Sequence, residues 1–340
     1  MIYSKIILTN LPAFYKINLF NKIAETEKIL VIFTGNNAEI RNSDFFKENL
    51  IKFDFSNLKG KSLFYKFYFL TKIFISNRYS ELIIGGWDEP LLLFSSIISK
   101  KRKNSVIVES SIYESKITGA KSVVKKLFLS RINKAYASGK SQINLLKALG
   151  FKGIIKKTKG VGIFNVHEQP KYEERARVFN FLYVGRLSKE KNLEKLIKIF
   201  PVTTDLILNI VGFGPEEDYL KSIASQNIHF HGAINNSDLH EYYKNYDVFI
   251  LPSLSEPWGL VVEEALNNGM PVIVSNKVGC ADEIVIDNYN GIIADLNDEN
   301  SLLKAIQNMN NIDFYNSLRE NISKMDFTKI TEEQVNTYLN

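Results

Sequence analysis

One cysteine in 340 residues, Cys280, leaves no partner for an internal disulfide and too few thiolates for a multi-cysteine metal site. That usage fits a reducing cytosol. Histidine is also scarce, at four, and no His/Cys cluster has metal-ligand spacing. No Asp-x-Asp pair occurs, so a fixed metal is not expected. No uninterrupted apolar stretch reaches transmembrane length, because Lys or Arg cuts the best candidates. Internal repeats, low-complexity tracts and DNA- or RNA-binding motifs are also missing. The opening MIYSKIILTN has a single Lys before a short apolar run that ends in Asn, so it reads as a first strand and not as a signal peptide. These absences leave a chain expected to be soluble or peripheral.

Hydrophobic content of 45% and aromatic content of 12% fit a globular protein. The length suits two domains of about 150 residues each. The net charge of +6 hides an asymmetry: residues 1–170 hold 28 Lys+Arg and 12 Asp+Glu, and residues 171–340 hold 15 and 25. A first half at +16 beside a second at −10 points to an anionic surface met by the first. Anionic phospholipid is favoured over nucleic acid, since no nucleic-acid motif accompanies the charge. Two stretches suit a membrane surface. Lys61–Arg78 interleaves aromatics with Lys and spaces Leu63, Phe67, Leu70 and Phe74 helically. Lys121–Lys134 sets Lys121, Lys125, Lys126, Arg131 and Lys134 around Leu127, Phe128 and Ile132. A helix packed on a sheet with solvated lysines is the competing reading of each. The cluster Lys100–Lys103 reads as a solvated turn.

Strands and helices alternate throughout, which argues for parallel sheets with crossover helices. Strands are expected at Lys5–Thr9, Ile29–Thr34, Leu82–Ile84, Ser105–Val108 and near Ala135–Ser138, then at Phe179–Val184, Leu206–Val211, Asp247–Leu251, Val272–Ser275 and Gly291–Ala294. Helices are expected at Ala13–Ala24, Ser62–Ser76, Pro90–Ile98, Val123–Asn133 and Ser141–Leu149. In the second half they are expected near Leu193–Phe200, Glu216–Ser225, Ser237–Asn245, Val261–Asn268 and Glu299–Asn308. The polar stretch Asn165–Ala176 reads as a linker between an α/β domain over 1–164 and another over 177–325. In such doubly wound sheets, ligands sit at the carboxyl ends of the strands.

Between Pro252 and Ser275 the chain reads PSLSEPWGLVVEEALNNGMPVIVS. A strand end and tight loop carry Glu256, and Gly259 opens a helix with Glu264 in its early turns. Gly269 and Pro271 then stop that helix. The loop presents unpaired backbone N–H groups and a positive dipole end, which suit a diphosphate, with carboxylates on either side to accept sugar hydroxyls. The same features also read as ordinary dipole partners, Glu263 and Glu264, with an ordinary C-cap at Gly269. The full string resembles the signature of the retaining glycosyltransferases of family 4, whose fold is GT-B. There two glutamates flank seven residues, an aromatic–Gly pair follows the first, and a small-residue helix leads to Gly-x-Pro-Val. Glu256 and Glu264 have that spacing, with Trp258–Gly259 as the pair.

The resemblance implies two Rossmann-like domains whose parallel sheets face a central cleft, with a closing helix over about 328–340 crossing back to the first. It implies transfer of a hexose-type sugar from a UDP- or GDP-sugar to a glycan or lipid-linked glycan, as in surface polysaccharide assembly. Such an enzyme would work in the cytoplasm, peripheral at the inner face of the membrane. Glu264 would bond the ribose, Glu256 the transferred sugar, and the N–H groups of Gly259, Leu260 and Val261 the phosphate. Trp258 would pack or wall the sugar pocket. Gly185-Arg186-Leu187 and the Lys191–Asn192 pair match the family's pyrophosphate clamp, assigned to Arg186 and Lys191. Read from the residues alone, Lys189 competes with Lys191, and a solvated loop remains open. Gly212 in the Gly-Phe-Gly-Pro turn lines the nucleotide pocket or is a turn glycine. His231 is structural or adjacent to the base.

In the first half, Glu109 at a strand end is the candidate for contacting the acceptor hydroxyl, with a buried structural acid or a loop residue as the other readings. Family members often carry a glycine-rich loop after the first strand. This chain has LPAFYKINLF there, resembling a Pro-x-aromatic-basic variant. It also reads Gly160-Val161-Gly162 where relatives have Gly-Val-Asp. No metal is required if Arg186, Lys191 and a helix N-terminus stabilise the leaving diphosphate. Retention then follows front-face departure and attack, without a covalent glycosyl-enzyme. A sugar-nucleotide epimerase of the same fold and a catalytically inactive nucleotide-sugar-binding module remain as alternatives.

Overall fold

Short β-branched runs between polar turns build two parallel sheets. This computed structural model describes residues 1–35, 45–46, 48–202 and 205–340. The chain divides into two units, one of residues 1–163 and 330–340 and the other of residues 164–329.

In the first unit the elements run β1 (Ile2–Thr9), α1 (Phe14–Ala24), β2 (Ile29–Phe33), β3 (Asp54–Asn57), α2 (Leu63–Ser76), β4 (Arg78–Ile84), α3 (Pro90–Ile98), β5 (Asn104–Val108), α4 (Gly119–Ser130), β6 (Lys134–Ala137), α5 (Lys140–Ala148) and β7 (Ile154–Lys157). The strands pair in the order β3-β2-β1-β4-β5-β6-β7, all parallel. Because side chains alternate along a strand, each central strand feeds two cores. Ile6 and Leu8 of β1 join Leu82 and Ile84 of β4 under α2, α3, α4 and α5. Ile7 and Ile83 point the other way, against α1 and the chain's last helix.

The second unit runs β8 (Asn180–Val184), α6 (Leu193–Ile199), β9 (Ile207–Val211), α7 (Glu217–Ile223), β10 (Ile228–Gly232), α8 (Leu239–Tyr243), β11 (Val248–Leu251), α9 (Leu260–Asn267), β12 (Val272–Ser275), β13 (Gly291–Ala294), α10 (Ser301–Asn308) and α11 (Ile312–Ser323). Its sheet has the order β10-β9-β8-β11-β12-β13 and is also parallel. The last helix, α12 (Phe327–Leu339), places Val335 and Tyr338 in the core of the first unit.

Every expected strand and helix is present, with ends shifted by a few residues. The largest shifts are of four residues: β4 begins at Arg78 instead of Leu82, and α4 begins right after Thr118, at Gly119 instead of Val123. Four elements were not expected. Strands β3, β7 and β10 are sheet edges, and α11 begins at an Asn311 cap that accepts from Phe314 N at 3.2 Å. The stretch 165–176 has no helix or strand and is tied to the second unit by paired bonds. Asn267 Oδ1 accepts from His167 N at 2.9 Å while its Nδ2 donates to His167 O at 3.0 Å, and Asn316 holds Arg175 in the same two-way fashion. The departure at Gly162 also has a physical reason: a Cβ there would lie 2.5 Å from Cδ2 of Tyr15 and 2.6 Å from its carbonyl oxygen, where α1 passes.

Tyr338 stacks on Tyr136 of β6 with ring centroids 4.5 Å apart and is almost fully buried. Tyr338→Ala should therefore lower stability by roughly 3–5 kcal/mol, read as a drop in the urea midpoint of tryptophan fluorescence or far-UV dichroism. Asn336→Ala, one turn face away and exposed, should stay within about 0.5 kcal/mol of the parent.

Candidate functional site

The strand order of the second sheet places a switch point between β8 and β11. From β8 the chain crosses to β9 on one side, and from β11 it crosses to β12 on the other, so the loops after these adjacent strands diverge and leave a crevice. Residues 185–192 form one loop and 252–259 the other.

The first loop is shaped by glycine. Gly185 N donates to Val211 O at 3.0 Å and Leu187 N to Phe213 O at 3.0 Å, which continues the β8–β9 ladder past the strand ends. Gly212 has φ +136°, and a Cβ on it would lie 1.8 Å from Gly185 O. The two open readings of Gly212 thus meet in one fact: only glycine lets these backbones approach so closely. Tyr183, fully buried, donates its hydroxyl to Arg186 O at 2.8 Å and fixes the turn. The Arg186 side chain is exposed. After a short 3₁₀ turn at Lys189–Lys191, Asn192 adopts the left-handed conformation and donates to Pro252 O at 3.1 Å. Leu254 N donates to Glu190 O at 2.8 Å, so the two loops are tied directly.

Across this junction Lys191 Nζ forms an ion pair with Glu256 Oε2, both side chains mostly shielded. Lys189 instead faces solvent, so of the two competing lysines only Lys191 joins the carboxylate. Glu190 carries a carboxyl held below its usual range: burial pushes it up, but the Ser188 hydroxyl donating at 2.5 Å, a backbone N–H, Lys191 and Arg186 outweigh that.

The Glu256 segment is held from behind. Glu256 N donates to Lys277 O at 3.2 Å, Gly279 N to Glu256 O at 2.9 Å and Cys280 N to Trp258 O at 2.9 Å. A Cβ on Gly279 would sit 1.9 Å from Pro257 O. Gly259, with φ 101°, turns the chain into α9, and the N–H groups of Leu260 and Val261 head that helix without intrahelical acceptors.

Trp258 is buried and donates its Nε1–H to Glu263 Oε2 at 2.8 Å. Its side chain packs in the interior of the second unit. Glu263 is itself buried, and desolvation pushes its carboxyl up to about 8, with the Trp258 bond opposing and Glu264 adding to the rise. One residue on, Glu264 accepts from Tyr243 Oη at 3.1 Å, and burial raises its carboxyl to about 7 against that bond.

Glu109 lies in the other unit. It ends β5 and pairs with Lys16 of α1 at 3.0 Å, while Gln142 donates to its backbone carbonyl at 2.9 Å. Lys16 also donates to Thr9 Oγ1 at 3.4 Å. His231 of β10 shares a hydrogen bond of 2.8 Å with Oδ1 of the buried Asn209 in β9, and burial lowers its pKa.

Arg186, Lys191, Glu256, Gly259, Leu260, Val261 and Glu264 thus lie on the loops and helix at the β8/β11 switch point, and Glu109 belongs to the first unit. The roles of three contributors were not read from the sequence. Tyr243 holds Glu264, Glu263 anchors Trp258, and Lys16 neutralises Glu109. Lys16 is the basic residue of the Pro-x-aromatic-basic string, which was the available signal. Among the described residues no cluster of three His, Cys, Asp or Glu is placed to hold a metal.

Residues 167–325 match the family described as Glycosyl transferases group 1. An uncharacterized glycosyltransferase of Methanocaldococcus jannaschii is 39% identical over 119 residues, 33% of this chain and 30% of that protein. The chain spans less than half the length of the curated relatives it matches. Among solved structures, the lipopolysaccharide outer core galactosyltransferase WaaB in its apo form superposes with a TM-score of 0.74 at 15% identity, covering 100% of this chain and 99% of that one. Anabaena HepE in complex with UDP and glucose superposes with a TM-score of 0.72 at 16% identity, covering 99% of each chain. The fold is GT-B.

Two outcomes follow from the local geometry. Gly212→Ala should destabilise by more than about 1 kcal/mol in chemical unfolding, because the methyl group collides with the Gly185 carbonyl and forces the turn after β9 away from the loop after β8. The raised Glu263 carboxyl is protonated more readily folded than unfolded, so its stabilisation is complete below about pH 4.5 and is lost as pH rises through about 8. Glu263→Gln keeps an acceptor for Trp258 and removes the charge. It should unfold at higher urea than the parent at pH 9, by roughly 2–4 kcal/mol, with little difference at pH 5.

Proposed function

With residues 167–325 matching the glycosyl transferases group 1 family, we propose that this chain is a retaining glycosyltransferase that moves a hexose-type sugar from a nucleoside diphosphate sugar to a glycan or lipid-linked glycan. The observation that carries the reading is the Lys191–Glu256 ion pair at the β8/β11 switch point, with the amino end of α9 three residues beyond Glu256. A cation, a carboxylate and free helix N–H groups at one crevice suit a diphosphate joined to a polyhydroxylated ring. That HepE has been solved with UDP and glucose supports a ligand of this class on this fold.

In this reading Arg186 and Lys191 hold the diphosphate and absorb the charge that builds on it as the glycosidic bond breaks. The N–H groups at Gly259, Leu260 and Val261 complete the cradle. Glu256, already beside Lys191, accepts hydroxyl hydrogens of the sugar next to the leaving group. Glu264, oriented by Tyr243, accepts from the ribose hydroxyls. No metal or covalent sugar–enzyme bond is needed, and departure and attack on one face of the ring preserve the anomeric configuration. Glu109, neutralised by Lys16, is the acceptor-side group. The galactosyltransferase likeness and the basic first half support an acceptor in surface polysaccharide assembly, presented at the cytoplasmic face of an anionic membrane.

Calorimetric titration with UDP, GDP and ADP should find one preferred nucleotide, and Glu264→Ala should weaken it at least about tenfold, near the loss expected for a charge-assisted bond pair. A parent chain that binds none of the three contradicts the reading. Because Glu264 titrates at about 7 and accepts best when ionised, parent affinity should rise from pH 6 to pH 8, and Glu264→Gln should flatten that profile. Arg186→Ala should lower kcat more than it raises KM for the donor. Proton NMR of the product should show retained anomeric configuration, and inversion would overturn that part.

A further inference from the structure

The three helices α2, α3 and α4 lie side by side on one face of the first sheet. Leu70, Leu91, Leu92, Phe128 and Leu129 from them enter a single core. Phe67 of α2 meets Phe94 of α3 edge-on at 4.6 Å, and Arg131, just after α4, donates to the Ile97 and Ser99 carbonyls at the end of α3 at 3.2 Å. The outer side of this layer is unusual in two independent ways.

First, its helices contain no acid, and the nearest carboxylates, Asp88 and Glu114, lie in adjoining loops near Lys125. Residues 55–80, 90–108 and 115–167 hold neither Asp nor Glu. By contrast α6, α7, α8, α9 and α11 of the other unit each carry at least one, and so does α12 on the opposite face of the first sheet. Lys72, Lys121 and Lys126 are exposed, and among the described residues none of them forms an ion pair. Second, the same surface shows large apolar side chains that the core does not use. On α2, Phe64 is 90% and Ile75 80% exposed, with Tyr68 and Lys72 spaced between them along one helical stripe. On α4, Val123 is 66% and Leu127 57% exposed. Ile97 and Ile98 end α3, exposed beside Lys100, Lys101 and Arg102.

Solvation explains lysines on a helix, but not a 90% exposed Phe among them. Water favours neither the aromatic stripe nor a cationic field in which Lys72, Lys121 and Lys126 form no ion pair among the described residues. An anionic bilayer favours both, since its interface takes up aromatic and aliphatic side chains while its headgroups attract Lys and Arg. No described helix is long and apolar enough to cross a membrane, so such contact is confined to the surface.

We propose that the outer face of α2, α3 and α4 docks on an anionic phospholipid surface, with Phe64, Tyr68, Ile75, Val123 and Leu127 entering the interface and Lys72, Lys121 and Lys126 meeting the headgroups. The purpose of the docking rests on the proposed function: it brings the acceptor-side unit to a lipid-linked substrate. The contact itself stands on charge and exposure alone. The apolar stripe anchors and the lysines provide attraction that salt screens.

Flotation of the full chain with phosphatidylcholine vesicles, with and without phosphatidylglycerol, tests it. The parent should float with the mixed vesicles at low salt, stay behind with phosphatidylcholine alone, and be released by high salt. Lys72→Glu/Lys121→Glu/Lys126→Glu should weaken vesicle binding at least about tenfold, each lysine near the surface contributing several-fold. Phe64→Ser/Tyr68→Ser should weaken it at both salt levels. Both variants should keep the parent's melting temperature and its nucleotide-induced shift, which separates a failed docking face from a failed donor site. Equal flotation of parent and variants, or no flotation of the parent on anionic vesicles, overturns the proposal. So does a concentration-dependent dimer, by light scattering, that Phe64→Ser/Tyr68→Ser dissolves, or labelled RNA captured by the parent in place of vesicles.

Discussion

Lys191 and Glu256 are sixty-five residues apart in sequence, and they meet because two adjacent parallel strands send their chains in opposite directions. Everything at the site follows from that divergence. The loop after β8 runs beside the loop after β9 with the two backbones at contact distance, which places glycine at 212 against Gly185. The loop after β11 can carry a carboxylate to the junction only if it is braced from behind, which places Gly279 against Pro257. The ion pair then joins two loops whose other ties, Leu254 to Glu190 and Asn192 to Pro252, are already made. A mostly shielded pair of this kind adds little net stability, because desolvation opposes the attraction. Its presence at the proposed pyrophosphate crevice is better understood as charge held in place for a partner.

The two acids that open α9 are handled differently. Glu263 is spent on Trp258, and the pair plugs the back of the loop as one buried unit. Glu264 keeps part of its surface and one hydrogen bond, from Tyr243. Burial has moved both carboxyls towards neutral pH, so the helix that would carry the ribose contact is also pH-sensitive in the range where cells work. Stability and ligand binding pull in opposite directions there: folding favours the protonated acids, and hydroxyl recognition favours the ionised Glu264.

The sequence made the interior of both sheets legible, because buried parallel strands are continuous β-branched runs such as Ile29–Phe33 and Val272–Ser275. The edges were not. The strand Asp54–Asn57 reads DFSN and Ile154–Lys157 reads IIKK, and neither has the pattern of a strand covered on both faces. Ile228–Gly232 reads IHFHG, alternating buried and more open positions beside β9. Their pairing is imposed by neighbours distant in sequence. At the site, the signature spacing pointed to Glu256, Gly259 and Glu264, and the geometry pairs Lys191, not the exposed Lys189, with Glu256, a pairing that spacing alone left open. Tyr243 was invisible because a tyrosine on a short helix has no pattern until the helix is placed beside α9. Lys16 was in view as part of a string, but its role depends on Glu109, ninety-three residues away.

The central claim is that the β8/β11 crevice is a cradle for a pyrophosphate. Crystals of the full chain soaked with UDP or GDP test it most directly through the difference density. The account predicts diphosphate density against the Arg186 guanidinium, the Lys191 ammonium and the N–H groups of Leu260 and Val261, with the ribose at Glu264. Nucleotide density elsewhere in the molecule, with Lys191 and Glu256 undisturbed and their crevice holding only solvent, would contradict it.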